Sequence, residues 1–305
     1  MPDSGKVVGI QALRALAASM VVIDHSLRKL VENGSLPHGF EVLADYLGLV
    51  GVATFFAVSG FVMALTAQHR RGSANALDFL RRRIVRIVPL YWLITVVHAI
   101  RLSISGKPPS WGDLASSLFF IPYFDAGGML RPVLGVGWTL NFEMYFYLLF
   151  AIGLLLPARV GMDAVLMLLV GSVVVGGLME EQTAMLAVVT SPLLLLFAAG
   201  MLAHRFIAPA FTEPMASRGA IPGLFVLLGD ASFSLYLTHG FVLGGLAMAL
   251  ASRQLPALAA ALFVLFSLLV STVVGVAVHL WIDRPLHRLW QFGGKHSLSV
   301  REQVV

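Results

Sequence analysis

The feature that most constrains the fold is a series of long apolar runs with few charged residues. Three of them are 7–23, 47–67 and 255–281. A helix needs about 17–25 apolar residues to cross a bilayer, and the ten-residue alternation of an outer-membrane barrel is not seen in the sequence. Hydrophobic residues make up 58% of the chain and charged residues 12%, against about 45–50% and about 25% in soluble domains. We therefore predict an all-α polytopic membrane helical bundle of about eight full transmembrane helices, plus one or two partial or re-entrant helices.

Polar residues, glycine and proline predict where the spans are interrupted. Residues 28–45 are expected to form a loop, and residues 106–137 an outer loop with a short interfacial or re-entrant helix. Gly229 and Asp230 are expected to break the following apolar segment. The next span would then begin near residue 232, which predicts that His239 lies in the inner half of the membrane.

Charge and cysteine content exclude several classes of function. The net charge of +5 would suit a nucleic-acid partner, but the basic residues lie mainly in short loops on one side, as membrane orientation requires. This asymmetry predicts that both termini are cytoplasmic and that no nucleic acid is bound. Without cysteine there is no thiolate metal site and no acyl-thioester enzyme intermediate. The nine histidines lack paired spacing, so no metal is expected, and without repeats or linkers residues 1–305 are predicted to form a single domain.

The first apolar span contains ionisable residues. Arg14 and His25 are eleven residues apart, about 16 Å of helical rise and close to three turns, so they share one face. Ionisable groups inside a span are costly and by default indicate a functional site. The alternative is a snorkelling arginine with a hydrogen-bonded core histidine.

Two further polar positions lie in later spans. Glu143 is one to two turns from the outer end of its span, at a depth similar to that of His25, so the carboxylate could orient the imidazole as a general base. The alternative for Glu143 is a structural carboxylate in a satisfied polar pocket. Ser59 precedes Gly60, and this pair is also typical of small-residue helix packing.

A series of short motifs runs through most of the chain in a fixed order. They are Arg14 with ten residues to His25, Phe55-Phe56-Ala57-Val58-Ser59-Gly60, Arg81 to Arg86 followed by Pro89-Leu90-Tyr91-Trp92, Trp138-Thr139-Leu140 with Glu143 and Tyr145-Phe146-Tyr147, Ser234-Leu235-Tyr236-Leu237-Thr238-His239, and Asp283-Arg284-Pro285. In this order they resemble acyltransferase family 3, the bacterial integral-membrane O-acyltransferases, and in particular its exopolysaccharide acetyltransferases. Asp283 stands where relatives usually carry Glu, and Phe233 where Tyr is common.

The resemblance implies a multi-pass protein of the bacterial inner membrane. It would transfer an acyl group, usually acetyl, from cytoplasmic acetyl-CoA to a hydroxyl of an extracytoplasmic polysaccharide or its lipid-linked oligosaccharide precursor. Contact with polysaccharide assembly proteins is a further implied partnership. No hydrolase-like extracytoplasmic domain of the kind that some relatives carry is expected, so the membrane domain would act alone.

Residue roles follow from the resemblance together with the chemistry of the donor. His25 is the expected catalytic residue, with Glu143 or Asp24 to orient it. The anionic nucleotide of coenzyme A suits a cationic entrance, and its pantetheine arm is similar in reach to the distance from Arg14 to His25. The residues expected to bind the donor are Arg14, Ser59, Arg82, Arg83, Arg86, Tyr236 and His239; those expected to bind the acceptor are Trp138, Asn141 and Tyr145.

Several alternatives remain open at this point. His25 could act as a general base or form a transient acyl-imidazole, and Asn141, Ser59 or Thr238 could donate to the oxyanion. A proton-coupled transporter or flippase of an envelope sugar intermediate would also place His, Glu and Arg inside a bundle. A non-enzymatic assembly protein and a membrane acyltransferase of the unrelated His and Asn class are the remaining readings.

Overall fold

The computed structural model describes residues 8–66, 71–180, 183–212, 220–250 and 253–291. In this part of the chain the only strand-like pairing is an isolated bridge between Phe124 and Leu130, and the all-α prediction is confirmed. The helices are α1 Val8–Glu32, α2 Gly39–Thr66, α3 Ser73–Ile104, α4 Trp111–Leu118, α5 Trp138–Gly153, α6 Ala158–Gly176, α7 Ala184–Val189, α8 Leu194–Thr212, α9 Ala220–Leu250, α10 Ala257–Val278 and, after a π-helical turn over His279–Asp283, α11 Arg284–Gln291.

Among the described residues, seven segments are long and apolar enough to cross a membrane, which confirms the polytopic bundle. They are Val8–Glu32, Gly39–Thr66, Ser73–Ile104, Arg159–Gly176, Ala184–Phe206, Gly223–Leu250 and Ala257–Trp290. The remaining predicted span is α5, whose 16 residues fall just short of the length that a spanning helix requires. The short helix predicted for the outer loop is α4.

The chain packs as two compact units. The first contains the described residues of 8–55 and 209–285, and the second those of 56–208 and 286–291. In the first unit α1 packs on α9, and Ala18, Val22 and Leu235 form a buried apolar cluster. In the second unit α2 and α8 approach closely at Gly60, where an added Cβ would meet the backbone of Phe197. Gly60 is therefore a packing glycine, as the small-residue alternative expected.

The loop predicted over residues 28–45 is much shorter than expected. α1 continues to Glu32 and α2 begins at Gly39, so the prediction is wrong for most of this range. The turn itself uses Gly34 at a positive φ of 77° and the side chain of Asn33, which accepts a hydrogen bond from the Ser35 amide at 3.0 Å. The charged residues on either side of this turn are helical and form ion pairs, Arg28 with Asp24 and Asp45, and Lys29 with Glu32.

The break predicted at Gly229 and Asp230 is also wrong, because α9 is continuous from Ala220 to Leu250. Gly229 lies directly against Gln11 of α1, and an added Cβ would collide with the Gln11 side chain and carbonyl. The glycine therefore permits close helix packing rather than ending the helix. Because nineteen residues of α9 precede His239, this histidine lies in the second half of the helix and not near the start of the span. Its position in the inner half of the membrane stays a prediction.

The arginine cluster lies inside a helix. α3 has 32 residues, about 48 Å of rise, which exceeds the roughly 30 Å apolar thickness of a bilayer. Its first turns carry Arg81, Arg82, Arg83 and Arg86, and Pro89 lies within the same helix. The basic cluster is therefore continuous with the third span rather than a loop before it.

The short helix α4 and the residues after it are held against the middle of α3. Tyr91 donates a hydrogen bond to the carbonyl of Ser117 at 3.1 Å, and Trp92 donates to the carbonyl of Leu118 at 2.7 Å. The Ser117 hydroxyl lies 3.1 Å from the Tyr123 hydroxyl. Burial raises the pKa of Tyr123, so its hydroxyl remains neutral in this network. These contacts fix α4 relative to the second unit.

Candidate active site

Two histidines from distant parts of the sequence meet in the first unit. Nδ1 of His25 on α1 lies 2.7 Å from Nε2 of His239 on α9. The ring planes differ by 8° and the centroids are 4.9 Å apart. That separation equals the N···N distance plus the two ring radii, so the rings are joined edge to edge by a hydrogen bond and are not stacked face to face. His25, the predicted functional imidazole, thus has a specific hydrogen-bond partner in His239.

The other nitrogen of His239 faces the backbone of its own helix. Nδ1 lies 2.7 Å from the carbonyl oxygen of Tyr236 and 3.3 Å from that of Leu235. The His239 side chain is completely buried, whereas the side chain of His25 keeps 37% of its surface accessible. The buried environment of His239 suits a residue that positions another side chain, whereas the accessible side chain of His25 can reach a substrate.

Asp24 forms an ion pair with Arg28. Arg28 Nε donates to Asp24 Oδ1 at 2.7 Å, and an Arg28 Nη group donates to Asp45 on α2. Asp24 is buried beside Gly48, where an added Cβ would collide with its carboxylate. Asp24 Oδ2 lies 3.8 Å from His25 Nε2, too far for a hydrogen bond. The arrangement makes Asp24 a buried link between α1 and α2, and its orienting role stays a prediction.

Three other predicted residues lie in the first unit. Arg14 is half-buried on α1, three turns before His25, as the spacing predicted. Tyr236 is buried on α9, with its ring 6.0 Å from that of His239 and 5.8 Å from that of Phe55. Their roles in binding the acyl donor stay predictions.

In the second unit, Glu143 on α5 is the centre of a polar group. Tyr147, one turn further along α5, donates its hydroxyl hydrogen to Glu143, and the Ser59 hydroxyl of α2 lies 3.5 Å from the same carboxylate. The sequence predicted separate roles for Ser59 and Glu143 and none for Tyr147, whereas the structure brings the three side chains together. His25 belongs to the first unit and Glu143 to the second, and the hypothesis that they cooperate stays a prediction.

Arg83 is the most unusual cation of the second unit. Its side chain is only 7% exposed, and its guanidinium carbon lies 5.5 Å from the ring centroid of Phe79 and 5.7 Å from that of Tyr147. The buried Nε has no hydrogen-bond partner within the described residues. A buried guanidinium between two aromatic rings, with a donor still unused, is suited to bind an anion.

The other predicted arginines of α3 differ from Arg83. Arg82 forms an ion pair with Asp78 one turn earlier, and Arg86 is half-buried. Only Arg83 of these three is buried. The position of each side chain on the helix separates one interior cation from two that lie nearer the surface.

The residues predicted to bind the acceptor all lie on α5. Trp138 is the first residue of α5 and contacts Phe142 edge-on at 5.7 Å, while Asn141 is buried and Tyr145 half-buried. Their contact with an acceptor stays a prediction. Among the residues that the structure covers, no group of three or more His, Asp or Glu side chains is arranged to hold a metal ion.

A further buried imidazole, that of His279, lies in the π-helical turn after α10. His279 Nδ1 donates to Asp283 Oδ2 at 2.8 Å, and Arg284 Nε donates to His279 Nε2 at 3.2 Å, within and just after the π-helical turn. The available signal was the spacing of His279 and Asp283, four residues apart on one helical face. The hydrogen bond to His279 therefore fixes the Arg284 side chain beside this pair.

Comparison with known proteins gives a consistent result. The family described as an acyltransferase domain matches residues 7–210, a range that includes His25, Arg83 and Glu143 but ends before His239. The exopolysaccharide production protein ExoZ of Rhizobium meliloti (strain 1021) is 30% identical over 292 residues, covering 79% of this chain and 90% of that protein. No solved structure matches the chain.

Two further relatives match over shorter lengths. Nodulation protein 10 of Rhizobium leguminosarum bv. viciae is 26% identical over 230 residues, covering 67% of this chain and 61% of the relative. The putative peptidoglycan O-acetyltransferase YrhL of Bacillus subtilis (strain 168) is 28% identical over 185 residues, covering 54% of this chain and 27% of the relative.

Proposed function

Because the chain belongs to acyltransferase family 3, and is thus a membrane acyltransferase, we propose that it is an acyl-CoA-dependent O-acetyltransferase. It moves an acetyl group from cytoplasmic acetyl-CoA to a hydroxyl of an extracytoplasmic polysaccharide or its lipid-linked precursor. The observation that carries the proposal is His25, an imidazole inside a membrane span that is hydrogen-bonded at one nitrogen and still 37% accessible. Ionisable groups held in this way inside a membrane are characteristic of functional sites.

The chemistry is a direct transfer at His25. Nε2 removes the proton from the acceptor hydroxyl as its oxygen attacks the thioester carbonyl, the C–O bond forms and the C–S bond breaks. The proton on His25 then passes to the departing coenzyme A thiolate, so the imidazole is regenerated. A positioned general base contributes about 10²–10⁴-fold to the rate. An acyl-imidazole would need a second transfer step and is the alternative to test.

Arg83 supports an anionic donor. Burying an isolated charge costs several kcal/mol, and that cost is offset if an anionic ligand binds the guanidinium. The phosphates of coenzyme A are such anions, and Arg82 and Arg86 on the same helix add positive charge. Arg14, Ser59 and Tyr236 complete the set that we assign to the donor or its acyl group.

The names of the relatives support a carbohydrate acceptor. One is named for exopolysaccharide production and another as a putative peptidoglycan O-acetyltransferase. We place the protein in the bacterial inner membrane with both termini cytoplasmic, because the basic residues lie mainly on that side. Trp138, Asn141 and Tyr145, at the outer end of α5, are assigned to the acceptor, and polysaccharide assembly proteins are the proposed partners.

The proposal is tested in cells of the source organism that lack the gene and are complemented with the wild type or with His25→Ala. The acetyl content of the purified polysaccharide is measured by mass, and the abundance of each variant in the membrane is measured alongside. We expect acetylation with the wild type and none with His25→Ala at equal abundance. Equal acetylation in both strains, or none with the wild type, would overturn the proposal.

A second measurement separates the enzyme from a transporter. Purified protein is heated with and without acetyl-CoA, and the melting temperature is recorded. Binding at a ligand concentration of 100 times Kd stabilises the folded state by about 2.7 kcal/mol. A clear rise supports the enzyme, whereas indifference to acetyl-CoA favours transport. Loss of His25→Ala from the membrane favours a purely structural role for the residue.

A further inference from the structure

The contact between His25 and His239 defines which nitrogen carries each proton. Two facing ring nitrogens 2.7 Å apart need one donor and one acceptor. The remaining partners of the two rings determine which nitrogen is the donor. His239 supplies the deduction, because its other nitrogen faces groups that can only accept.

Nδ1 of His239 lies against the carbonyl oxygens of Tyr236 and Leu235, and must therefore carry a hydrogen. The ring is fully buried, and a charged imidazolium there would be strongly disfavoured by desolvation. A neutral imidazole has one N–H only, so Nε2 of His239 is an acceptor. His25 must then donate from Nδ1, which puts the lone pair of its neutral ring on Nε2.

We propose that His239 is the positioning residue of the active site, which fixes the tautomer and ring orientation of His25. The inference rests on the proposed function, since it assigns the proton-accepting atom to Nε2 of His25. When Nε2 takes the proton from the acceptor hydroxyl, Nδ1–H of the resulting imidazolium still donates to His239. That hydrogen bond becomes charge-assisted and therefore stronger as the transition state forms.

In many hydrolases a carboxylate orients the catalytic imidazole. Here the neutral ring of His239 has that role for His25. A second buried charge next to His25 would be costly inside a membrane, whereas a neutral imidazole anchored on helix carbonyls needs no counter-ion. The nearby carboxylate of Asp24 accepts a hydrogen bond from Arg28, and the orienting role is left to His239. His239 acts through His25 and makes no contact with substrate in this account.

The test uses His239→Gln and His239→Leu. The Oε1 atom of glutamine takes about the position of Nε2 and still accepts a hydrogen bond, whereas leucine accepts none. The matched control is His204→Leu on α8, which removes another buried histidine, packed edge-on against Phe61 of α2. Initial rates of transfer from radiolabelled acetyl-CoA to the endogenous acceptor are measured in membranes over a range of acetyl-CoA concentrations.

We expect His239→Leu to lower kcat by about 10–100-fold, the usual effect of losing an orienting partner of a functional imidazole. The KM for acetyl-CoA should stay unchanged, His239→Gln should recover most of the lost rate, and the His204→Leu control should match the wild type. Ring ¹⁵N spectra, with the His25 signals identified by comparison with His25→Ala, should show Nδ1 protonated in the wild type and both tautomers in His239→Leu.

The outcomes separate the two proposals. Wild-type rates in His239→Leu, equal losses in the Gln and Leu variants, or a wild-type spectrum with Nε2 of His25 protonated would each overturn the positioning role and leave the acetyltransferase standing. Wild-type membranes that transfer no label would overturn the proposed function itself. If His239→Leu is not inserted, the Gln variant and the wild-type spectrum still decide the matter.

Discussion

The guanidinium of Arg83 on α3 lies over the ring of Tyr147 on α5, 5.7 Å from its centroid. The same tyrosine donates its hydroxyl hydrogen to Glu143, so one side chain contacts a cation through its face and an anion through its edge. This relationship separates two functions that can be tested independently. The ring supports the proposed donor-binding arginine, and the hydroxyl supports the carboxylate.

Replacing Arg83 by glutamine is expected to abolish the acetyl-CoA-dependent rise in melting temperature. Without ligand the variant should melt at or above the wild-type temperature, because a buried charge with an unused donor is removed. A purely structural arginine would show the opposite, a lower melting temperature without ligand. Arg101→Gln, on an exposed position near the end of the same helix, is the control and should respond to acetyl-CoA as the wild type does.

Tyr147→Phe should retain the melting response to acetyl-CoA but transfer acetyl more slowly. Phenylalanine keeps the ring beneath Arg83 and removes only the donor to Glu143. The loss of a hydrogen bond to a charged group corresponds to about 1.5–3 kcal/mol, or roughly 10–150-fold if the bond acts in the transition state. Transfer of radiolabelled acetyl to the endogenous acceptor measures the effect. A wild-type rate would show that the Tyr147 hydroxyl is dispensable.

The Asp24–Arg28 pair predicts a specific pattern of stability. Arg28→Ala leaves the buried Asp24 carboxylate without its donor, and a buried unsatisfied group costs about 1–3 kcal/mol. Adding Asp24→Asn to Arg28→Ala should restore part of the lost melting temperature, since no charge then remains buried. Asp45→Asn breaks only the more exposed pair and should have a small effect, about 0–1 kcal/mol. Additive effects of Asp24→Asn and Arg28→Ala would contradict the coupling.

Gly60→Ala should reduce the amount of folded protein in the membrane, because the new methyl group would meet the backbone of Phe197. Backbone cannot move aside as a flexible side chain can, so the two helices must separate. Gly171→Ala on α6 is the control, since its added Cβ meets nothing within 4 Å. Fluorescence-detected size-exclusion chromatography of both variants measures the folded fraction. An unaffected Gly60→Ala variant would show that α2 and α8 do not need this close contact.

Much of the fold was predictable from the apolar runs, but its interruptions were not. A sufficient length and the absence of charged residues identify a membrane helix from sequence alone, as for α10. Glycine and charged residues normally predict breaks, yet Gly229 and Arg28 both lie within helices. Gly229 packs against Gln11, and Arg28 forms an ion pair with Asp24. Gln11 is a tertiary partner that no local pattern shows, whereas Asp24 lies four residues before Arg28 on the same helix, a spacing that the sequence does contain.

The candidate site shows the same limit. The spacing of Arg14 and His25 indicated a site because charges are rare in spans, and both residues lie on α1 as predicted. The hydrogen bond from His25 to His239 joins residues 214 positions apart and could not be read from the sequence. The error at Gly229 also affected His239, since α9 begins twelve residues before the predicted start of the span and the histidine therefore lies further along its helix than expected.

The most direct measurement follows radiolabelled acetyl across a membrane. Proteoliposomes containing the wild type or His25→Ala, sorted for orientation with the termini outside, are loaded with extracted polysaccharide precursor and given labelled acetyl-CoA externally. We predict that label appears as an alkali-labile ester on the enclosed acceptor with the wild type and not with His25→Ala. Label that stays on coenzyme A with the wild type, or equal labelling with both proteins, would contradict the account.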